Sequence, residues 1–249
     1  MKNSTLTKSM VLDYLWQYSR FYSQRLYECE QCYSEEKGYA AITLLFSCLE
    51  NICKSVVNDY DSSFYDVVKK LKENLTISEV EYCFLNQNEF CIRKIRNLFA
   101  HANISAINLV NQEGNREILY PLTEEVSCIL LYERISDIIF NLILKIISSH
   151  FFDELREKIQ INLDSDIEKC KLEFRILTSK EMLVLKGLPE DYISDDLGIP
   201  EHARIRIIEK NPYLHSGAKS SIIGTTYNDG GLQYGGQKSR KIQKKNTLG

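Results

Sequence analysis

Between residues 39 and 56 the apolar positions Tyr39, Ile42, Phe46, Leu49, Cys53 and Val56 alternate steps of three and four without a miss. That spacing is the signature of an α-helix with one face pressed against other helices. A longer stripe follows at Val126, Ile129, Leu130, Ile135, Ile138, Ile139, Leu142 and Ile146, and continues weakly towards Ile159. Pro121 and Thr123 announce this helix, and Glu124 and Glu125 lie at its positive end. It is long enough to cross a bundle and to offer a dimer face as well. Since neither helix can bury its own stripe, the chain is committed to a mainly α fold in which helices cover one another.

The other segments are read around these two. Val11, Leu15, Tyr18, Tyr22, Leu26 and Cys29 mark one long first helix, and Ser34 stands where the second would be capped. Asp59 to Ser63 is a turn, followed by a short helix through Phe64, Val67, Val68 and Leu71 that ends near Asn74. Thr76 or Ser78 starts another short helix through Val80 and Phe84. The run Asn86-Gln87-Asn88 breaks the chain, with Asn88 a cap for the helix that begins close to Arg93. Ile107, Leu109, Glu113-Gly114-Asn115, Ile118 and Tyr120 outline a short hairpin or an irregular loop.

The character changes near Leu163. Leu172, Phe174 and Ile176 alternate with charged residues, as do Ile205 and Ile207 with Arg204 and Arg206, which is strand periodicity. Ser179 to Lys186 between them reads as a short helix closed by Gly187. From Ser216 onward glycine, serine, asparagine and lysine dominate, so little fixed structure is expected. The resulting division is a helical bundle over residues 1–162, a small α/β appendage over 163–213 and a flexible basic Gly/Lys-rich tail over 214–249.

The chain carries 31 Lys and Arg against 34 Asp and Glu, a net charge of −3, so it is no polycation that coats nucleic acid indiscriminately. The basic character is concentrated in the tail, in Lys238-Ser239-Arg240-Lys241-Ile242-Gln243-Lys244-Lys245. This cluster is either a solubilising end or an electrostatic hand on RNA. Eight cysteines and an N-terminus without a secretory pattern point to free thiols in a reducing cytoplasm. No membrane span is expected, because Asn141 and Lys145 interrupt the most apolar run, 138–147.

Against this background one helix stands out. In Arg93-Lys94-Ile95-Arg96-Asn97-Leu98-Phe99-Ala100-His101-Ala102-Asn103, the apolar positions Ile92, Ile95, Phe99 and Ala102 commit one face to packing. At about 100° per residue Asn97 and His101 lie about 40° apart and Arg93 and His101 about 80° apart, so these three share a side. Arg96 lies roughly 140° from His101 on an unbroken helix. Either the helix loosens at His101, or the long arginine reaches back, or it serves a partner subunit.

Arg96-Asn97-Leu98-Phe99-Ala100-His101 resembles the R-N-x-x-x-H signature of HEPN-domain ribonucleases. The resemblance implies an all-helical, usually dimeric fold and metal-independent RNA cleavage, in toxin–antitoxin, abortive-infection or CRISPR-associated defence. It implies no cofactor and no metal. Arg96, Asn97 and His101 would be catalytic, while Arg93, Glu50 and Asn103 would contact substrate. RNA supplies its own nucleophile, the 2′-hydroxyl. His101 suits the proton transfers, Arg96 the phosphate oxygens, and Asn97 the orientation of the imidazole or a phosphate. A full acid–base cycle is served by two histidines, which a homodimer with facing motif helices would supply. In some HEPN toxins a tyrosine two residues beyond the histidine is nucleotidylated by a partner antitoxin; Asn103 holds that position here, which argues against that style of control.

Two other readings compete. One is a catalytically inactive HEPN module acting as a scaffold or ligand-binding partner in a defence complex. The other is a zinc-stabilised adaptor, with Cys29, Cys32, Cys48 and Cys53 as thiolate ligands. His150, His202 and His215 lack companions at catalytic spacing and stay outside the site.

Overall fold

The computed structural model describes residues 5–101, 104–114, 116–151, 161–193, 195, 198–210, 224–226 and 233–234. The chain is mainly helical with a small sheet. Its first two elements, α1 (Lys8–Tyr18) and α2 (Arg20–Ser34), replace the single long helix expected from the stripe. Ser19 is extended, with φ −155°, and its hydroxyl accepts the N–H of Tyr22. The Ser23 hydroxyl donates to the Leu12 carbonyl at 3.0 Å and Lys8 reaches Glu30 at 2.8 Å, so the two helices run back along each other as a hairpin. Both stripes still face one core, and for that reason the break left no trace in the periodicity.

Helix α3 (Gly38–Val57) starts without a side-chain cap, after Lys37 rather than at Ser34, and ends on Asn58 in the left-handed region. It is the central helix, packed on α2 and on α7 (Glu125–Phe151). Gly38 makes the closest approach: a Cβ there would lie 2.5 Å from the Glu125 carbonyl oxygen and 2.6 Å from the Ile129 nitrogen. A side chain of any size would push the two helices apart. Among the described helices, α3 is long and apolar enough to cross a membrane by length and composition, with mean hydropathy 1.5. That corrects the expectation drawn from 138–147 alone. Its apolar residues are nevertheless taken up by the core, from Ala41 and Ile42 through Leu45, Leu49 and Ile52, which is compatible with a soluble protein.

Helix α4 (Phe64–Glu73) is capped by Ser63, and α5 (Glu79–Tyr82) opens with a capping box between Ser78 and Glu81. Glu81 is fully buried, and Lys145 of α7 binds both its oxygens, at 2.7 and 2.8 Å. A π-helical turn, Cys83–Gln87, leads into α6 (Ile92–His101), which is the motif helix. It begins where the asparagine break predicts. On α7, Asn141 ties down the start of the chain, its amide accepting from the Leu6 N–H at 2.8 Å and donating to the Leu6 carbonyl at 3.0 Å.

Of the hairpin and the irregular loop that the sequence allows after the motif, the structure has the hairpin: β1 (Ile107–Glu113) pairs antiparallel with β2 (Arg116–Pro121) around Gly114, φ 63°. A short helix α8 (Asp164–Lys169) then precedes β3 (Phe174–Ile176), which pairs antiparallel with β1, Leu109 opposite Phe174. The segment read as an appendage is therefore stitched into the hairpin. Its own helices, α9 (Ser179–Leu185) and α10 (Glu201–Lys210), pack Met182, Leu183, Ile205 and Ile208 against Ala106 and Leu177. The strand expected at Ile205 and Ile207 is thus a helix. Ile208, three residues after Ile205, is buried with it, while Ile207 is exposed.

Two short strands, β4 (Gly224–Thr226) and β5 (Gln233–Tyr234), extend the sheet beyond β2 to the order β3-β1-β2-β4-β5. They fall in the tail, where β-branched Thr225 and Thr226 and aromatic Tyr234 favour extended backbone. The basic cluster 238–245 and the continuation of the stripe to Ile159 lie outside the described residues.

Candidate active site

Helices α3 and α6 meet through an aromatic contact, Phe46 of α3 against Phe99 of α6, with ring centroids 5.9 Å apart and edge to face. Around this contact Ile92 and Ile95 are buried, as the stripe requires. The amphipathic spacing therefore fixes which residues of α6 reach the seam with α3 and which face outward.

Glu50, which interrupts the apolar run of α3, points into this seam. Its Oε2 pairs with Arg96 Nη2, and its Oε1 lies 3.1 Å from Lys54 Nζ, one turn further along α3. Arg96 Nη1 in turn donates to Asn97 Oδ1 at 3.1 Å. The Glu50 side chain is 13 % exposed and the Arg96 side chain 32 %, so the carboxylate is the sheltered member and the guanidinium the accessible one. An arginine carries five N–H donors. The two bonds to Glu50 and Asn97 hold its plane while leaving three donors for a ligand.

The structure thus brings Glu50, Arg96 and Asn97 together and adds Lys54, which the sequence reading missed. Its signal was the i, i+4 spacing from Glu50. Arg93 has other partners. Its Nη2 donates to the Asn86 carbonyl of the π turn at 3.2 Å, and its guanidinium lies 5.3 Å from the centre of the Tyr65 ring. It clasps α6 to α4 and the π turn. Helix α6 is regular as far as His101, its last residue, so it does not loosen within the motif. Asn103 lies outside the described residues.

Tyr39 stands first in the apolar stripe of α3, yet it is 40 % exposed. Its ring lies 5.5 Å from that of Phe99, its hydroxyl donates to the Phe99 carbonyl at 3.4 Å, and its N–H is bound by the Glu125 carboxylate at 2.9 Å.

The four-cysteine reading has no geometric support. Among the described residues no three of His, Cys, Asp and Glu converge as metal ligands. Cys29 and Cys53 are fully buried. A hydrogen bond with Cys48 and burial push the Cys29 thiol well above its ordinary range, and burial pushes Cys53 up to about 12. Both sit as small residues of the core.

A cleft of about 990 Å³ opens elsewhere, where the N-terminal segment, β1, α7 and α8 meet. Two of its lining cations are engaged within the chain: Lys8 with Glu30 and Asp137, and Arg134 with the Val110 carbonyl and Asn111. None of Glu50, Arg96 and Asn97 lines it. No family model, curated protein or solved structure matches the chain. The functional reading consequently rests on the seam between α3 and α6.

Proposed function

We propose that the protein is a metal-independent endoribonuclease of HEPN type, a cytoplasmic toxin or antiphage defence effector acting as a homodimer. The observation that supports this most is the guanidinium of Arg96, five residues before His101, held by Glu50 and Asn97 and presenting free donors to solvent. Arginine in this state grips two oxygens of one phosphate. Lys54 adds a second positive charge on the same carboxylate.

In the proposed reaction His101 removes the proton of a ribose 2′-hydroxyl, whose oxygen attacks the adjacent phosphorus. Arg96 stabilises the charge that builds on the phosphate oxygens. The bond to the 5′-oxygen breaks, and that oxygen takes its proton from the second histidine of the dimer, leaving 2′,3′-cyclic phosphate and 5′-hydroxyl ends. Because α6 stays helical to its end, Arg96 and His101 of one chain diverge by about 140°. Facing motif helices in a two-fold dimer bring the arginine of one copy to the histidine of the other. An antitoxin or another component of a defence system would restrain such an enzyme.

One observation favours a second reading, an inactive HEPN scaffold: two of the donors of Arg96 are already engaged within the chain. Incubation of the purified protein with a mixed RNA pool separates the two. The enzyme reading expects cleavage that EDTA leaves unchanged, cyclic phosphate ends, and loss of cleavage in both Arg96→Ala and His101→Ala with helicity and dimer intact. Metal-dependent cutting or 3′-hydroxyl ends would sink the mechanism. Identical behaviour of the wild type and both variants would establish the scaffold.

A further inference from the structure

We infer that Tyr39 is a stacking platform for an unpaired base of the RNA at the proposed site. The inference rests on the ribonuclease reading and extends it to a residue outside the motif.

An exposed tyrosine is ordinarily a mobile one. Tyr39 is instead restrained from three directions while 40 % of it remains open. Phe99 lies against its ring at 5.5 Å and is itself wedged against Phe46. The Tyr39 hydroxyl is bound to the Phe99 carbonyl, which belongs to the motif two residues before His101. Its backbone is fixed by Glu125, and the adjoining Gly38 is pressed onto α7. A ring already fixed in place loses little freedom when a base stacks on it. Such stacking contributes to binding whatever the base, because every base has a π face.

The rest of the seam suits a single strand. Tyr39 and Glu50 are separated by about 16 Å along α3 at 1.5 Å per residue. Cations gather at the far end, where Arg96 and Lys54 flank Glu50, and the aromatic ring stands at the near end, beside the close of α6. A strand laid along the seam meets phosphate-binding groups at one end and a stacking surface at the other. A duplex cannot use the ring, because its bases are already stacked and paired.

The test is an abasic scan. A single-stranded oligoribonucleotide containing one mapped cleavage site is prepared with each flanking base in turn replaced by hydrogen, the ribose being kept, and kcat/KM is measured for each. Wild type is expected to lose about 5- to 150-fold at one position, the range spanned by a single base–aromatic stack. Tyr39→Ala should lose a similar factor on the intact strand and lose nothing further at that position. Tyr39→Phe, which keeps the ring and gives up the hydroxyl bond, should retain the wild-type penalty there, an outcome a purely structural role would not produce. If Tyr39→Ala shows the same scan as wild type, or if the same sequence is cut equally well in a duplex, the stacking role falls while the nuclease stands. If the wild type cuts no RNA, both fall together.

Discussion

Replacing Gly38 by alanine tests how the central helix is seated. The added methyl would lie 2.5 and 2.6 Å from backbone atoms of Glu125 and Ile129 and 2.8 Å from Cys128 Cβ. Backbone atoms cannot rotate out of the way, so the first turn of α3 must lift from α7 by most of an ångström to restore ordinary contact. Overpacking of this kind costs about 1–3 kcal/mol, occasionally more. A gap of that width also forfeits roughly a quarter to a half of each dispersion contact along the seam. Against this, alanine gains at most about 1 kcal/mol in helix propensity. The net expectation is a loss of about 2 kcal/mol, or roughly 4–8 °C in Tm for a chain of this size. The N–H of Tyr39 would be drawn from the Glu125 carboxylate by the same movement. Gly114→Ala is the comparison: nothing lies within 4 Å of its Cβ position, and only its positive φ is strained, which costs about 1–2 kcal/mol. Thermal unfolding followed by circular dichroism at one scan rate checks both. A Gly38→Ala protein that melts within a degree or two of wild type would refute the packing argument.

Other perturbations have equally definite outcomes. Lys145→Met leaves the buried Glu81 carboxylate without its cation and should lower stability by about 3–5 kcal/mol, read as a fall in the urea midpoint; pairing it with Glu81→Leu should recover much of the loss. Lys70 and Ser62 hold the Asp59 carboxyl well below its ordinary range. Its folded pKa lies below its unfolded one, so the stabilisation is present above about pH 4 and fades as pH falls towards the folded value. Asp59→Asn should therefore be less stable than wild type at pH 7, with the difference closing in strong acid, as measured by urea unfolding across that range.

The elements legible in the sequence were those whose information is local. The three-and-four spacing of α3 and α7, the start at Thr76 or Ser78, the asparagine break before α6 and the glycine of the hairpin all act within one or two turns of chain. The hairpin at Ser19 was hidden because Val11, Leu15, Leu26 and Cys29 face the same core whether or not the helix breaks. Four residues, Arg204 to Ile207, are too few to tell a period of 2 from one of 3.6, and Ile208 decided for the helix. At the site, Glu50 stood out as an acid in an apolar run, and its partner Arg96 was in the motif. Lys54 and Tyr39 depended on what packs beside α3. A stripe position at a helix end is buried only if a neighbour extends that far, and for Tyr39 none fully does.

The pairing of β3 with β1 also bears on when the fold around the motif is completed during synthesis. Strand β1 follows the motif helix by a few residues, yet its outer edge is paired to residues 173–176, far along the chain. On the ribosome the motif, the hairpin and α7 all emerge before that strand does, so the edge of β1 waits uncovered while most of the helical bundle can already collapse. Contacts this distant in sequence form late because the intervening loop must first be closed. A chain interrupted before residue 174 would carry the whole motif next to an unfinished sheet. For a proposed toxin, that order delays completion of the fold around its motif until translation is well advanced.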